Sequence, residues 1–564
     1  MVQPTALPPA ALTPAALHEF AARAPLGRRT FLVGSASTAT LAGLSLAGAG
    51  SAVADTGIRG PGLADPFTLG VASGDPLPDS VIIWTRLAPD PAAPGAGVPE
   101  RGVRVQWQVR DGTKVVQDGS VRTDAALGHS VHVDVCGLRP DREYTYRFRA
   151  GGHVSPVGRT RTAPRRNSSP DVRTFAVVNC QDWQNGYWAG YAALAAEHVD
   201  AIVHLGDYIY EYDPNPTAVR QHNPSQTAGL DQLVTLGDYR ARHALYRSDP
   251  ALQAAHASAP WIVVWDDHET ENNYAGLIDE IDDTGDRFQA PDVFARQRAA
   301  AYQAYYEFMP IRARYSLGSP DLRIYRRFDF GRLARLHMLD TRQYRTDQPG
   351  GFPGDFGTVE AGAANSAGTL TGAEQEAWLV DGLETSRATW DIIGQQTQLA
   401  RTLFLNPIPP NVPPVLANLD QWDGYVPARQ RLIDVLAAPT LGRRGGATNP
   451  VVLTGDIHST WVSDIKQSFD DPASATVATE FVAPSVSSDF PVAFVPVVLA
   501  SNARLNPHVK YFDGIGHGYL KLTVTPDTFT TEVRTTAVLT DPAAPLSTTS
   551  TWVVQAGTPG AQPG

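Results

Sequence analysis

Only two cysteines, Cys136 and Cys180, occur in 564 residues, so no network of disulfides holds this chain together and at most one bridge can form. Cys136 belongs to a strand-like segment and Cys180 to an acidic cluster, which argues against pairing them. Lysine is almost as scarce. Lys114, Lys466, Lys510 and Lys521 are the whole set, the other cations are arginines, and a GC-rich genome can produce that bias, so it supports no conclusion about stability. Positive charge as a whole is short: the formal net charge is -12, which gives no reason to expect the basic stripe of a nucleic-acid binder. No apolar run reaches the ~18 residues that a membrane-spanning helix needs. No internal repeat of fixed period is found, which speaks against a solenoid or propeller.

What remains is a folded, soluble composition, 43% hydrophobic and 18% charged, in a chain too long for one ordinary domain. At the N-terminus, Arg28-Arg29-Thr30-Phe31-Leu32 precedes a modestly apolar stretch ending in Ala52-Val53-Ala54. Twin arginines, a weak apolar region and an A-x-A site fit a twin-arginine export signal over residues 1–54. The bland alternative is an unstructured tail with a chance arginine pair. Export by this route carries folded proteins, often with a cofactor already inserted, and makes the translocase a transient partner and the destination extracytoplasmic.

Residues 65–165 alternate as short strands, at Val81–Trp84, Val103–Trp107, Val131–Val135 and Tyr144–Phe148, which predicts an antiparallel β-sandwich. The segment Leu138–Phe148 looks like the tyrosine corner of a fibronectin type III or immunoglobulin-like module. Thr160–Pro170 reads as a linker. Beyond it, over 171–545, strands alternate with helices: Trp188–Val199, Phe294–Phe308, a helix after a capping box at Thr371–Glu374, and one opened by Pro427. Strands are expected at Leu333–Leu339, Trp390–Ile393 and Tyr519–Val524, and surface loops near a site at Asp213–Gln232 and Asn406–Asp423. The Trp552–Val554 patch either packs over that site or ties down the terminus.

Four acidic segments follow strand-like apolar runs: Asn179–Asp182, Gly206–Tyr210, Trp265–Glu269 and Gly455–His458. Ionised carboxylates at the edge of a buried sheet are costly unless a counter-charge joins them, and a polynuclear metal centre supplies one. In open α/β sheets ligands gather at the carboxyl ends of the strands, where Cys180, Asp207, Asp267 and Asp456 would emerge. Asp207 follows a glycine and is the best bridging candidate. Tyr210 can turn back toward the same site, and Asp456 and His458, two apart, point the same way on an extended strand end.

This pattern resembles the calcineurin-like metallophosphoesterases, with Cys180 in place of their first Asp, Asp267 at the Asn position before His268, and Asp456 at the first His of the last motif. Those departures are similar to the PhoD-type alkaline phosphatases. The resemblance implies an α/β/β/α sandwich preceded by the fibronectin-like domain, and a ferric ion paired with one or two Ca2+. Cys180, Tyr210, His458 and Asp207 suit Fe(III); Asp207, Asp267 and Asp456 form an all-oxygen set suited to Ca2+. One thiolate, one phenolate and three carboxylates balance a trivalent and a divalent ion. The resemblance makes His268 the proton donor to the leaving alkoxide, with hydroxide activated at the metals attacking phosphorus in line. Asn272 and Asn273 are either donors to a second Ca2+ or ordinary turn residues.

Asp182, Asp266 and Glu269 have outer or capping roles as readily as ligation. Arg342 either clamps phosphate or pairs with Asp340, the second being favoured. His517 stands in a glycine-flanked loop as a further candidate. The expected activity is a secreted phosphatase and phosphodiesterase acting on small phosphate esters, with phospholipids or polymeric phosphodiesters as further substrates. The alternatives are a phospholipase D-like activity on the same scaffold and a binding module with merely structural metals.

Overall fold

The computed structural model describes residues 63–221, 233–279, 289–349, 355–407, 413–438 and 447–564. Val- and Ile-rich segments form two large sheets, as β-branched side chains favour. The first has ten strands, in the order Thr558–Pro563, Ser547–Gln555, Thr528–Thr536, His517–Val524, Arg173–Val178, Ala201–His204, Pro260–Val263, Val71–Gly74, Ser80–Arg86 and Ser130–Cys136. Its middle, Arg173–Val178, Ala201–His204 and Pro260–Val263, is parallel, so three acidic segments leave the same edge. The second sheet has seven strands, with Ala334–Met338, Trp390–Gln395, Val451–Thr454 and Thr476–Val482 parallel in its centre.

Phe175, Val177 and Val203 of the first sheet share one core with Leu336, Ile392, Val451 and Phe481 of the second. Phe175 meets Phe330 edge-on at 4.8 Å. Helices Ala189–Ala196 and Pro250–Ser258 lie on the outer side of the first sheet, and Gly372–Glu384 and Val426–Ala437 pack a separate core on the second. The result is an α/β/β/α sandwich preceded by an all-β module. Pro291 starts the helix Pro291–Phe308 at its first turn and Pro427 does the same for Val426–Ala437. The expected box at Thr371–Glu374 does not form: Thr371 makes no cap bond, Gly372 turns at φ +67°, and Glu374 accepts from the Tyr325 hydroxyl instead. A true capping box joins Thr235 and Asp238 at the start of Leu236–Arg247.

The N-terminal module is not a free sandwich. Val71–Gly74 pairs in parallel with Pro260–Val263, so Val71–Gly74, Ser80–Arg86 and Ser130–Cys136 extend the catalytic sheet. Its own second sheet is Lys114–Arg122, Arg104–Asp111, Glu143–Ala150 and His153–Val154, with Gly158–Arg161 also paired to Glu143–Ala150. Thr160 and Arg161, assigned to a linker from composition, are therefore strand residues. The Tyr144 hydroxyl takes the Arg139 amide N–H at 2.8 Å, the bond that defines a tyrosine corner. The Trp84 indole donates to the Glu307 carbonyl, and Arg326 grips buried Asp75 with two nitrogens.

Past residue 545, Ser547–Gln555 and Thr558–Pro563 complete the sheet edge, with Trp552 and Val554 in the main core. That patch ties down the terminus. Asn406–Asp423, expected as loop, includes the strand Val415–Asn418. The twin-arginine segment 1–54 and most of 213–232 lie outside the described residues, among which no helix is long and apolar enough to cross a membrane. Cys136 is exposed and Cys180 buried, both as free thiols.

Candidate metal centre

Five of the residues singled out from sequence sit in the left-handed backbone region: Cys180 at φ 52°, Asp207 at 58°, Asn273 at 54°, Asp456 at 65° and His458 at 52°. Each such non-glycine conformation costs about 1–2 kcal/mol, and strain of this kind concentrates where function demands it. Gly206, at φ +112°, passes so close to Asp266 that any Cβ there would collide with it. The tight turns aim the motif side chains into one cluster instead of letting them alternate away.

Three overlapping groups of donors result, each with ligand atoms within 4.8 Å of one another: Cys180, Asp207 and His458; Asp207, Asp267 and His268; Asp266, Asp267 and Asp456. Asp207 stands in two of them, the position of a bridge. Tyr210 joins the first group, its hydroxyl donating to Asp207 Oδ2 at 2.8 Å, lying 3.0 Å from His458 Nε2, and accepting from Ser488 Oγ at 2.7 Å. Asp207 Oδ1, Asp266 Oδ2 and Asp267 Oδ1 are buried without a hydrogen-bond partner. Orphaned buried oxygens are expensive, and cations would satisfy them. Burial, then Asp207, pushes the Cys180 thiol and the Tyr210 phenol well up, so a bound cation is what would ionise them. The donor set fits a metal centre.

The rest of the electrostatics centres on Arg342. Its wholly buried guanidinium bonds Asp266 at 2.5 Å, Asp456 at 2.8 Å and Asp420 at 3.0 Å, with Asp267 at 3.6 Å. It neither pairs with Asp340 nor stands free for phosphate. Asp340 is occupied by the Arg342 and Gln343 amides, and the summed field of four distant carboxylates outweighs the local neighbour. Burial opposes the charge on Asp267, but Arg342 and His268 hold that carboxyl low. Burial raises Asp456 to about 6 despite Arg342, and burial together with Asp420 raises Asp355 to about 8.

His268 stacks on Tyr210 at 4.2 Å, and its Nδ1 lies 2.8 Å from Glu211. Burial disfavours its charged form, yet Glu211 and Asp267 raise its pKa well above the usual value. Asn273 belongs to the site: its amide donates to Asp267 and its side chain to Asp355. The Asn272 amide points instead to Glu211. Glu269 receives the amides of Asp207, Tyr208 and Asp266, tying two motif turns together, while Asp182 caps its own turn at Gln184. His517 lies outside the three groups, against Ser485 and Asp489.

Sequence reasoning passed over Glu211, Ser488, Asp355, Asp420 and Gln421. Glu211 directly follows Tyr210 and was within reach of the motif. Gln421, which donates to Asp456, and Asp420 fall in a stretch with no periodic signal.

Two facing mixed sheets with carboxylates, a thiol and imidazoles collected at their parallel strand ends define a metallophosphatase-type hydrolase. The model of PhoD-like phosphatases matches residues 175–533, and that of the PhoD-like phosphatase N-terminal domain matches 53–164; the chain belongs to this family and is a phosphatase. It is 42% identical over 493 residues to alkaline phosphatase D of Bacillus subtilis (strain 168), covering 87% of this chain and 81% of that protein. A solved structure of PhoD superposes with a TM-score of 0.79 at 40% identity, covering 89% of this chain and 92% of the other. Purple acid phosphatase PPD1 from yellow lupin shares the fold at 11% identity, with a TM-score of 0.50 over 86% of this chain and 74% of its own.

Proposed function

We propose that this phosphatase cleaves phosphate diesters as well as monoesters, at a centre that pairs Fe3+ with Ca2+. Cys180, Tyr210, His458 and Asp207 would hold the iron, because thiolate and phenolate favour a polarisable trivalent ion. Asp207, Asp267 and Asp456 offer oxygen alone, as Ca2+ prefers. Asn273, Asp355 and Asp420 would be the donors for a second Ca2+. Bound cations supply Lewis-acid activation of water and neutralise charge developing on the phosphoryl oxygens.

The observation that carries the reading is the sharing of Asp207 by two unlike donor groups, with His268 beside it. Glu211 takes the Nδ1 side of His268, leaving Nε2 to deliver a proton to the leaving alkoxide. Tyr210 keeps that ring in place by stacking. Asp207, Asp266 and Asp267 are buried away from bulk water.

Metal analysis with a visible spectrum tests the assignment. A phenolate–Fe(III) charge-transfer band should appear and vanish in Tyr210→Phe, whereas a colourless zinc protein sinks the iron reading. Rates on p-nitrophenyl phosphate, its bis-ester and phosphatidylcholine separate phosphatase, phosphodiesterase and phospholipase activities. Residues 1–54 would direct twin-arginine export, with 65–165 as the supporting module and the body beginning at 171. Replacing Arg28 and Arg29 by Lys should retain the precursor inside the cell.

A further inference from the structure

The outer face of the module's second sheet runs against the charge of the rest of the chain. Register pairs Arg104 with Arg122, Gln106 with Ser120 and Arg149, and Gln108 with Asp118 and Arg147; Arg110 completes the face opposite Thr145. Same-face residues recur every ~6.6 Å along a strand and every ~4.8 Å across strands. Five arginine positions thus span a patch of sheet roughly 20 Å by 10 Å, with Arg104, Arg122 and Arg149 exposed and Arg110 and Arg147 half-buried. None of the five forms an ion pair among the described residues; their bonds go to Ser120, Gln108 and main-chain carbonyls. The neighbouring acids are used elsewhere, Asp111 by Arg142 and Glu143 by Arg159. Asp118 is the sole carboxylate on these rows.

Clustered cations without counter-ions repel one another, and burial together with Arg110 and Arg149 depresses the pKa of Arg147. A chain of net charge -12 that keeps such a face unneutralised has an anionic surface to complement. The face also lacks rings. Tyr144, Tyr146 and Phe148 point inward to the module core, and Trp107 packs over Gly119 against the same core. A binder of single-stranded nucleic acid would present aromatic platforms for the bases.

We propose that this face docks a flexible linear phosphate polymer that carries no bases, held by several guanidinium–phosphate contacts at once. The docking needs no turnover, so it stands or falls separately from the metal assignment. The experiment is a binding titration of the full-length protein with long-chain inorganic polyphosphate over a salt series. The variant R104Q/R122Q/R147Q/R149Q should bind roughly 10-fold or more weakly, and its log–log salt slope should flatten by about 0.7 per contact removed. Three exposed arginines elsewhere, changed as R332Q/R387Q/R504Q, should leave both quantities alone. If the four-site variant fails to keep the wild-type unfolding midpoint, R104E/R149E, at two exposed positions, replaces it in the same titration. Weakening below roughly two-fold, or equal weakening by the control set, overturns the proposal. So does tighter binding of single-stranded DNA or of phosphatidylglycerol vesicles than of polyphosphate.

Discussion

Replacing Arg342 by Met keeps an unbranched apolar stem and removes the guanidinium with its charge and donors. In the metal-free protein, Asp266 and Asp456 then lose a partner at 2.5 and 2.8 Å, while Asp420 keeps Arg345 at 2.7 Å. Removing one member of a buried ion pair costs about 3–5 kcal/mol, because the remaining charge stays desolvated. The unpaired carboxyls can escape that cost only by taking up protons. Burial already holds Asp456 at about 6 with Arg342 in place, and loss of the cation moves it higher. A carboxyl whose folded pKa exceeds its unfolded value of ~3.9 binds more protons in the native state, so stability falls as pH rises between the two. The deficit should be largest near pH 8 and recede toward pH 5. Chelator-treated wild type and Arg342→Met are to be unfolded at both pH values and again with added Ca2+. Calcium should recover more of the midpoint in the variant than in wild type, since its charge replaces the guanidinium. Equal midpoints at pH 8, or a deficit that grows at pH 5, would refute the reasoning.

Glu211→Gln should lower kcat with little change in KM, by part of the ~10²–10⁴-fold expected for His268→Ala, since a general acid acts in the transition state; steady-state kinetics on p-nitrophenyl phosphate checks this. Trp552→Ala, in the strand beyond residue 545, should cost about 3–5 kcal/mol by leaving a cavity in the main core, read as a lower urea midpoint without loss of the metal spectrum. Tyr144→Phe deletes the corner bond to Arg139 and should cost about 0.5–1.5 kcal/mol. Because the module shares a sheet with the body, one cooperative transition should shift, and a separate early transition would contradict the shared-sheet picture.

The strand ends carrying Cys180, Asp207, Asp267 and Asp456 were legible because short apolar runs and the turn residues after them are local signals. The parallel arrangement then follows from alternation with helices. Tyr210 was legible from its offset to Asp207. Arg342 was misread for the same local reason: Asp340 is two residues away, whereas the carboxylates that bond the guanidinium, Asp266, Asp420 and Asp456, lie 76 to 114 positions distant. Ser488 and Asp355 enter from loops whose composition announces nothing, and within Asn406–Asp423, read as a loop near the site, no local signal marks Asp420. The strands of the module were legible by period, but not the pairing of Val71–Gly74 with Pro260–Val263, which requires knowing which edge each sheet leaves open.

The sequence by itself determined the kinds of donor available, their order along strand ends and the class of chemistry they serve, because side-chain chemistry and short-range periodicity are properties of the chain. Only the tertiary structure decided which donors meet, that Arg342 neutralises them, and that the module is welded to the catalytic sheet. Those are outcomes of burial and of fields summed over residues far apart in sequence, and the charge of each group depends on neighbours that folding alone supplies.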